Sequence, residues 1–235
     1  MLKKNNIKTL ILAGGKGERF KPFSFVIPKP LMPLKKDPII MHLLKSFKRC
    51  NFKNFLVSTG YQSELIKTYL GNGKKFGVRI KYVEEQKPLG TAGPISLIKK
   101  YIKKNEYFFI INGDVFTTFD FKKILNFAKK NNHELVVGYV KKNYVNSFGV
   151  LNISNGALKS ITEKPRYSFN INAGVYLIKN TKNLDIIVKN KFFTMPELIK
   201  KFIKKKIKIG TYKIPNFWAS IENMETLLKL EKKIK

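Results

Sequence analysis

Along the chain, apolar runs of strand length alternate with segments of helical spacing, the pattern of an α/β fold built on a mainly parallel sheet. Residues 7–13 form the first run, a buried strand that ends in the turn Gly14-Gly15-Lys16-Gly17. Residues 38–50 carry Ile39, Leu43, Leu44 and Phe47 on one helical face, with Pro38 near the first turn, where the missing N–H costs no hydrogen bond. Further strands are predicted over 54–58, 78–83 and 107–111, and helices over 63–70 and 94–104. The run 107–111 is the most hydrophobic of all and stops at Asn112-Gly113-Asp114.

The second half is less regular. The pattern predicts a helix over 121–130, a strand over 135–140, and a hairpin of 149–153 with 157–163 around Ser154-Asn155-Gly156. A strand over 171–178, a helix over 196–206, a strand over 207–214 and a closing helix over 221–233 follow. There is no internal repeat, low-complexity linker or composition break. One domain over 1–235 is therefore expected: a Rossmann-like βαβ half to about residue 115, and a half from about 116 whose added strands could wall a second ligand.

Composition narrows the function classes. With 43% hydrophobic residues and 19 Phe among 235, the chain can bury enough apolar surface to offset the entropy of ordering. The single cysteine, Cys50, excludes intramolecular disulfides and a cysteine-cluster metal site. The two histidines, His42 and His133, supply no imidazole-based zinc set. A reducing, cytoplasmic compartment is expected. Residues 1–6 are basic, but the apolar run after them is too short for a secretory leader, and no stretch of about 18 apolar residues suggests membrane insertion.

Charge first points elsewhere, because 47 Lys+Arg against 15 Asp+Glu gives a formal +32, as in proteins that bind nucleic acid or anionic surfaces. Only four of the 47 are arginines (Arg19, Arg49, Arg79 and Arg166), whereas recognition of bases and phosphates favours the guanidinium fork. The lysines spread along the whole chain beside many Asn and Ile, as an AT-rich coding sequence produces. No specific nucleic-acid partner is expected.

The glycine turn is more informative. Between a strand and helical sequence, Gly14-Gly15-Lys16-Gly17-Glu18-Arg19 has the positive-φ freedom and close backbone approach that a phosphate cradle needs. It is not a P-loop, whose G-x-x-x-x-G-K-[ST] spacing is absent, nor a dinucleotide fingerprint, since Phe20 stands at the third glycine position. Leu12-Ala13-Gly14-Gly15-Lys16-Gly17-Glu18-Arg19-Phe20-Lys21-Pro22, then Pro28-Lys29-Pro30-Leu31-Met32-Pro33-Leu34 and Asp37-Pro38-Ile39, resembles the signature of the sugar-1-phosphate nucleotidyltransferases. The resemblance continues through Gly90-Thr91-Ala92-Gly93, Asn112-Gly113-Asp114, Phe148-Gly149-Val150, Glu163-Lys164-Pro165 and Asn172-Ala173-Gly174. It covers nearly the full chain.

That family joins a sugar 1-phosphate to a nucleoside triphosphate by in-line attack on the α-phosphorus, releasing pyrophosphate. Bringing two polyanions together needs backbone amides, fixed cations and a metal. The resemblance implies that Leu12, Ala13, Gly14, Gly15, Lys16 and Gly17 wrap the triphosphate, and that Arg19 holds the phosphates and the departing pyrophosphate. Lys29, framed by stiffening prolines, meets the phosphates at the reacting centre. Asp114, ending a buried strand, binds Mg²⁺, a hard cation liganded by oxygen. Gln86 with Gly90 and Thr91 reads the base. Glu163 and Lys164 take the sugar hydroxyls and phosphate, and Gly149 and Asn172 line the sugar pocket. His42 is read as a packing or surface histidine within the first helix.

One departure reaches the reaction centre. Where the family has W-x-D-I-G, with a metal-binding aspartate, this chain reads Trp218-Ala219-Ser220-Ile221-Glu222. Three readings stand open: Glu222 supplies the missing carboxylate; Asp114, substrate phosphates and water hold the metal; or the protein binds its ligands with little turnover. The resemblance is to the short, stand-alone branch, and a homo-oligomer is compatible with it. Residues 193–199 look most like guanylyltransferase relatives, which act on mannose-, heptose- or amino-sugar 1-phosphates for polysaccharide synthesis. Uridylyl- and cytidylyltransferases are the alternatives, as is a non-catalytic nucleotide or sugar-phosphate binder.

Overall fold

The computed structural model describes residues 7–215 and 217–234. The basic segment 1–6 therefore lies outside the described residues. In chain order the first half contains β1 (Lys8–Leu12), a two-residue ladder of β2 (Pro33–Leu34) with β3 (Asp37–Pro38), α1 (Ile39–Arg49), β4 (Asn54–Thr59) and α2 (Ser63–Leu70). It continues with β5 (Arg79–Glu84), α3 (Ile95–Ile98) and β6 (Tyr107–Asn112). The second half contains β7 (Val115–Thr117), α4 (Phe121–Lys130), β8 (Leu135–Val145), β9 (Val150–Ser154), β10 (Ala157–Thr162) and β11 (Arg166–Lys179). It closes with α5 (Met195–Lys204), β12 (Ile209–Lys213), β13 (Trp218–Ser220) and α6 (Met224–Lys233).

Seven strands make the central sheet in the order β12-β8-β11-β6-β1-β4-β5, and β11 alone runs against the others. Strands buried on both faces read as unbroken apolar runs, which is why Tyr107-Phe108-Phe109-Ile110-Ile111 was so easily found. Alternate residues feed two cores. Phe109 and Ile111 meet α1, α2 and α4 on one face, while Phe108 and Ile110 meet α3 and α5 on the other. Phe47 of α1 stacks on Phe121 of α4 at 3.7 Å between ring centroids. A third cluster of Phe20, Met32, Leu34, Ile39, Ile221, Leu227 and Leu230 joins the loop after β1 to α6.

Three predicted elements differ in extent. The helix expected over 94–104 is a single α-turn followed by a 3₁₀ turn, Lys99–Tyr101; Ile95, Ile98 and Tyr101 recur every third residue and suit the tighter repeat. β8 and β11 run well past their predicted ends at 140 and 171, pairing from Arg166↔Val145 to Asn172↔Tyr139 as a solvent-exposed ribbon. Exposed on both faces, the ribbon has no burial alternation to betray it, and cross-strand contacts such as Tyr144 with Phe169 sustain it. The closing helix starts at Met224 rather than 221, because 218–220 pair with β7 and Asn223 provides the helix cap.

Candidate nucleotide-binding site

β4 and β5 lie on one side of β1 and β6 on the other, so the strand order reverses at the β1/β6 boundary, where open α/β sheets bind ligands. Leu12 pairs level with both Ser58 and Asn112 at the carboxyl edge. A cavity of about 760 Å³ opens there, bounded by the glycine loop, Lys29, Glu85, the turn at 88–91, Asn112 to Asp114, Phe192, Ser220 and Glu222.

The loop's glycines have different reasons to be glycine. At Gly14 a Cβ would stand 2.6 Å from Glu85 Oε1, so the loop passes too close to that side chain for any larger residue. Gly17 has φ +65 and opens the 3₁₀ turn Glu18–Phe20, which buries Phe20 and turns Arg19 outward. At Gly15 a Cβ would meet open space, leaving that stretch of backbone accessible from the cavity.

Two ion pairs cross the cavity. Lys29 Nζ donates to Asp114 Oδ2 at 2.5 Å, both side chains being largely buried. Lys29 is positioned by a 3₁₀ turn, Lys29–Leu31, between Pro28 and Met32, and its Cβ packs on Gly17. Asp114 follows Gly113, whose N–H donates to Leu12 O and whose Cβ, if present, would lie 2.4 Å from that oxygen. Arg19 Nη1 donates to Glu222 Oε2 at 3.2 Å in a more exposed pair. Ile221 N–H donates to Asp114 O, which tethers the Ser220–Glu222 stretch to the turn holding Asp114.

Asp114 Oδ1 is buried and has no hydrogen-bond partner. An orphaned carboxylate oxygen beside a second carboxylate suits a hard cation liganded by oxygen. Among the described residues no group of three or more His, Cys, Asp or Glu could hold a metal, so protein donation there would be limited to Asp114 and Glu222. Ser220 also lines the cavity.

Beyond β5 the expected base reader, Gln86, is exposed, and Glu85 lines the cavity instead. Glu85 accepts from Ser58 Oγ at 2.6 Å and from Leu89 N–H at 3.0 Å. Gly90 has φ +74, and a Cβ there would lie 2.7 Å from Phe193 O. The N–H groups of Ala92 and Gly93 donate to that same oxygen, and Thr91 Oγ1 accepts from Met195 N–H. The 89–93 turn is thus clamped to the start of α5.

The residues matched to sugar binding lie apart from this cavity. Gly149, Glu163 and Lys164 sit where the β9–β10 hairpin joins the exposed ribbon; a Cβ on Gly149 would be 2.9 Å from Glu163 Oε2, and Lys164 has φ 43. Asn172, on β11, donates to the Tyr176 hydroxyl at 2.6 Å and accepts from Gly174 N–H. Burial pushes the Tyr176 phenol above its ordinary range, so it stays neutral. His42 Nε2 lies 2.9 Å from Leu34 O, and its ring packs on Phe116.

Sequence reasoning missed Glu85, Leu89 and Phe192. The argument that selected Asp114, a carboxylate leaving the carboxyl end of a strand, applies equally to Glu85 after β5.

A mainly parallel sheet with a glycine loop at its switch point, cations on one side of the cavity and carboxylates among them, defines a Rossmann-like protein built to hold a phosphorylated ligand. The nucleotidyl transferase family model matches residues 8–234, and the chain belongs to that family. It is 35% identical over 187 residues to mannose-1-phosphate guanyltransferase of Yarrowia lipolytica, covering 77% of this chain and 51% of that one. It is 30% identical over 222 residues to mannose-1-phosphate guanyltransferase 2 of Candida glabrata, covering 92% and 61%. The chain thus spans just over half the length of these curated relatives. Among solved structures, HddC from Yersinia pseudotuberculosis, also determined complexed with GMP-PN, superposes with TM-score 0.76 at 26% identity, over 97% of this chain and 100% of that one. Among the described residues no helix is long and apolar enough to cross a membrane.

Proposed function

We propose that the chain is a Mg²⁺-dependent sugar-1-phosphate nucleotidyltransferase that takes GTP and a mannose-, heptose- or amino-sugar 1-phosphate and yields a nucleotide sugar and pyrophosphate. The observation that carries this reading is the Lys29–Asp114 pair beside the glycine loop in one cavity. The names of the guanyltransferase relatives support the choice of base.

In this reading the sugar-phosphate oxygen forms a bond to the α-phosphorus as the bond to the β-phosphate bridge breaks. The residues needed are positioning and electrostatic groups rather than a covalent nucleophile. Loop amides of residues 12–17 hold the triphosphate, Lys29 neutralises charge at the reacting phosphorus, and Arg19 holds the leaving pyrophosphate. Asp114 and Glu222 are the oxygen donors that would hold Mg²⁺, which supplies charge neutralisation across the phosphates. The half to about residue 115 serves the nucleotide and the half from about 116 the sugar phosphate, through Gly149, Glu163, Lys164 and Asn172.

A cytoplasmic setting accords with the lone, buried Cys50, whose thiol is pushed up by desolvation and so kept protonated. A homo-oligomer is compatible with the proposal. Release of pyrophosphate from GTP with a sugar 1-phosphate, lost in Asp114→Ala, tests it.

A further inference from the structure

We infer that Glu85 selects the base: its carboxylate accepts from two adjacent ring-edge donors, which makes guanine the preferred base of this site. The inference rests on the nucleotidyl-transfer reading above and names the residue that sets its nucleotide specificity.

Three observations carry it. First, the cavity is electrically polarised along the sheet edge. In the order β6-β1-β4-β5, Asp114 follows β6, the glycine loop follows β1, and Glu85 follows β5, so Glu85 lies across β1 from the Lys29–Asp114 pair. Phosphates gather at Lys16, Arg19 and Lys29. A carboxylate at the far end repels them and leaves that end, with Pro88 and Leu89, to the base.

Second, the Glu85 carboxylate is held in one orientation. Its backbone N–H donates to Thr59 O at 2.8 Å, Oε1 accepts from Ser58 Oγ, Oε2 accepts from Leu89 N–H, and Gly14 closes over Oε1. Two acceptances use about half of the roughly four lone-pair directions of a carboxylate, leaving each oxygen able to accept again.

Third, the side chain offers acceptors only. Guanine presents N1–H and the 2-amino group side by side, one donor for each oxygen. Uracil and thymine present a single N–H between two carbonyls, and adenine and cytosine one amino group beside a ring nitrogen. Each of these sets a lone pair against the second carboxylate oxygen. A site built for such donors rejects bases lacking them, because its own polar atoms would be left unpaired.

The chemistry fixes a switch that a damaged fold cannot imitate. In Glu85→Gln the amide oxygen still accepts from N1–H, but the amide NH₂ faces the 2-amino group of guanine and suits the 2-carbonyl of xanthine. Binding by calorimetry and pyrophosphate release are measured with GTP, xanthosine triphosphate, inosine triphosphate and UTP, with mannose 1-phosphate as acceptor. Wild type should prefer GTP over inosine triphosphate, which lacks the 2-amino group, by ~10- to 100-fold, and reject xanthosine triphosphate. Glu85→Gln should lose that preference for GTP and gain xanthosine triphosphate.

A folded Glu85→Gln that still prefers GTP over xanthosine triphosphate overturns the inference, as does a wild type that prefers UTP. Should the variant fail to fold, wild type decides alone: equal binding of GTP and inosine triphosphate overturns it. If wild type binds GTP but releases no pyrophosphate from any triphosphate, the proposed transfer fails instead, and the binding preferences still report on Glu85.

Discussion

Lys29 and Asp114, 85 positions apart in sequence, meet with 2.5 Å between Nζ and Oδ2 at the mouth of the β1/β6 crevice. Arg19 and Glu222 form a second such pair in the same cavity. Each cation assigned to a phosphate is thus held by a carboxylate assigned to a metal. Loading the site with a metal and a triphosphate exchanges partners without leaving an uncompensated charge at any stage, which favours arrival of the two together.

Removing the cation should disable transfer while sparing the fold. Lys29→Met is expected to slow pyrophosphate release by about 10²- to 10³-fold, the usual cost of losing one group that stabilises transition-state charge. Its circular dichroism spectrum should match that of wild type. Activity within a few-fold of wild type would remove Lys29 from the reacting centre.

Glu222 is the residue on which the metal question turns, because Ser220 offers only a hydroxyl where the family has an aspartate. If Glu222 is a donor, Glu222→Gln should raise the Mg²⁺ concentration for half-maximal activity on the order of 10- to 100-fold. An unchanged Mg²⁺ requirement would assign the metal to Asp114, phosphates and water.

The glycines separate stability from function. Gly113→Ala forces a methyl to within 2.4 Å of Leu12 O, a backbone atom that cannot move aside cheaply, and should cost about 1–3 kcal/mol in denaturant unfolding. Gly15→Ala meets nothing and should leave stability within about 0.5 kcal/mol of wild type, any loss appearing in nucleotide binding instead. Equal destabilisation by both would contradict the assigned contacts.

His133 should make stability depend on pH. Burial, then the nearby Lys208, lowers its pKa below the ordinary histidine range, and its buried Nδ1 has no partner. The unfolded chain therefore binds a proton more readily than the folded one. Stability is fully present above the unfolded histidine pKa and declines as pH falls through about 6.5. Thermal melts between pH 8 and pH 5 should show that decline, and His133→Asn should flatten it. An identical slope in the variant would exonerate His133.

Much of the fold was readable because buried parallel strands and amphipathic helices leave strong apolar periods; α2 and α4 have the predicted bounds. The exposed ribbon carries Tyr144, Phe169, Asn143 and Ser168 without burial alternation and could not be seen that way. β7 and β13 are three residues each, too short for any period to register. In the site, Arg19, Lys29, Asp114 and Glu222 were found through motif frames and come together in the cavity. Gln86 was chosen over Glu85 because an amide suits a base edge generally, while only the fold shows which of two adjacent side chains turns inward. Gly149, Glu163 and Lys164 share one corner of the ribbon, outside the cavity that holds the glycine loop.

The central claim is nucleotidyl transfer, and pyrophosphate release tests it most directly. Wild type and Asp114→Ala are each given Mg²⁺, mannose 1-phosphate and, in turn, GTP, UTP, CTP and ATP. The account predicts sugar-phosphate-dependent pyrophosphate release from GTP by wild type and none by Asp114→Ala. Tight GTP binding without pyrophosphate release from any triphosphate, under Mg²⁺ and with heptose and amino-sugar 1-phosphates also supplied, would contradict it and make the protein a binder rather than an enzyme.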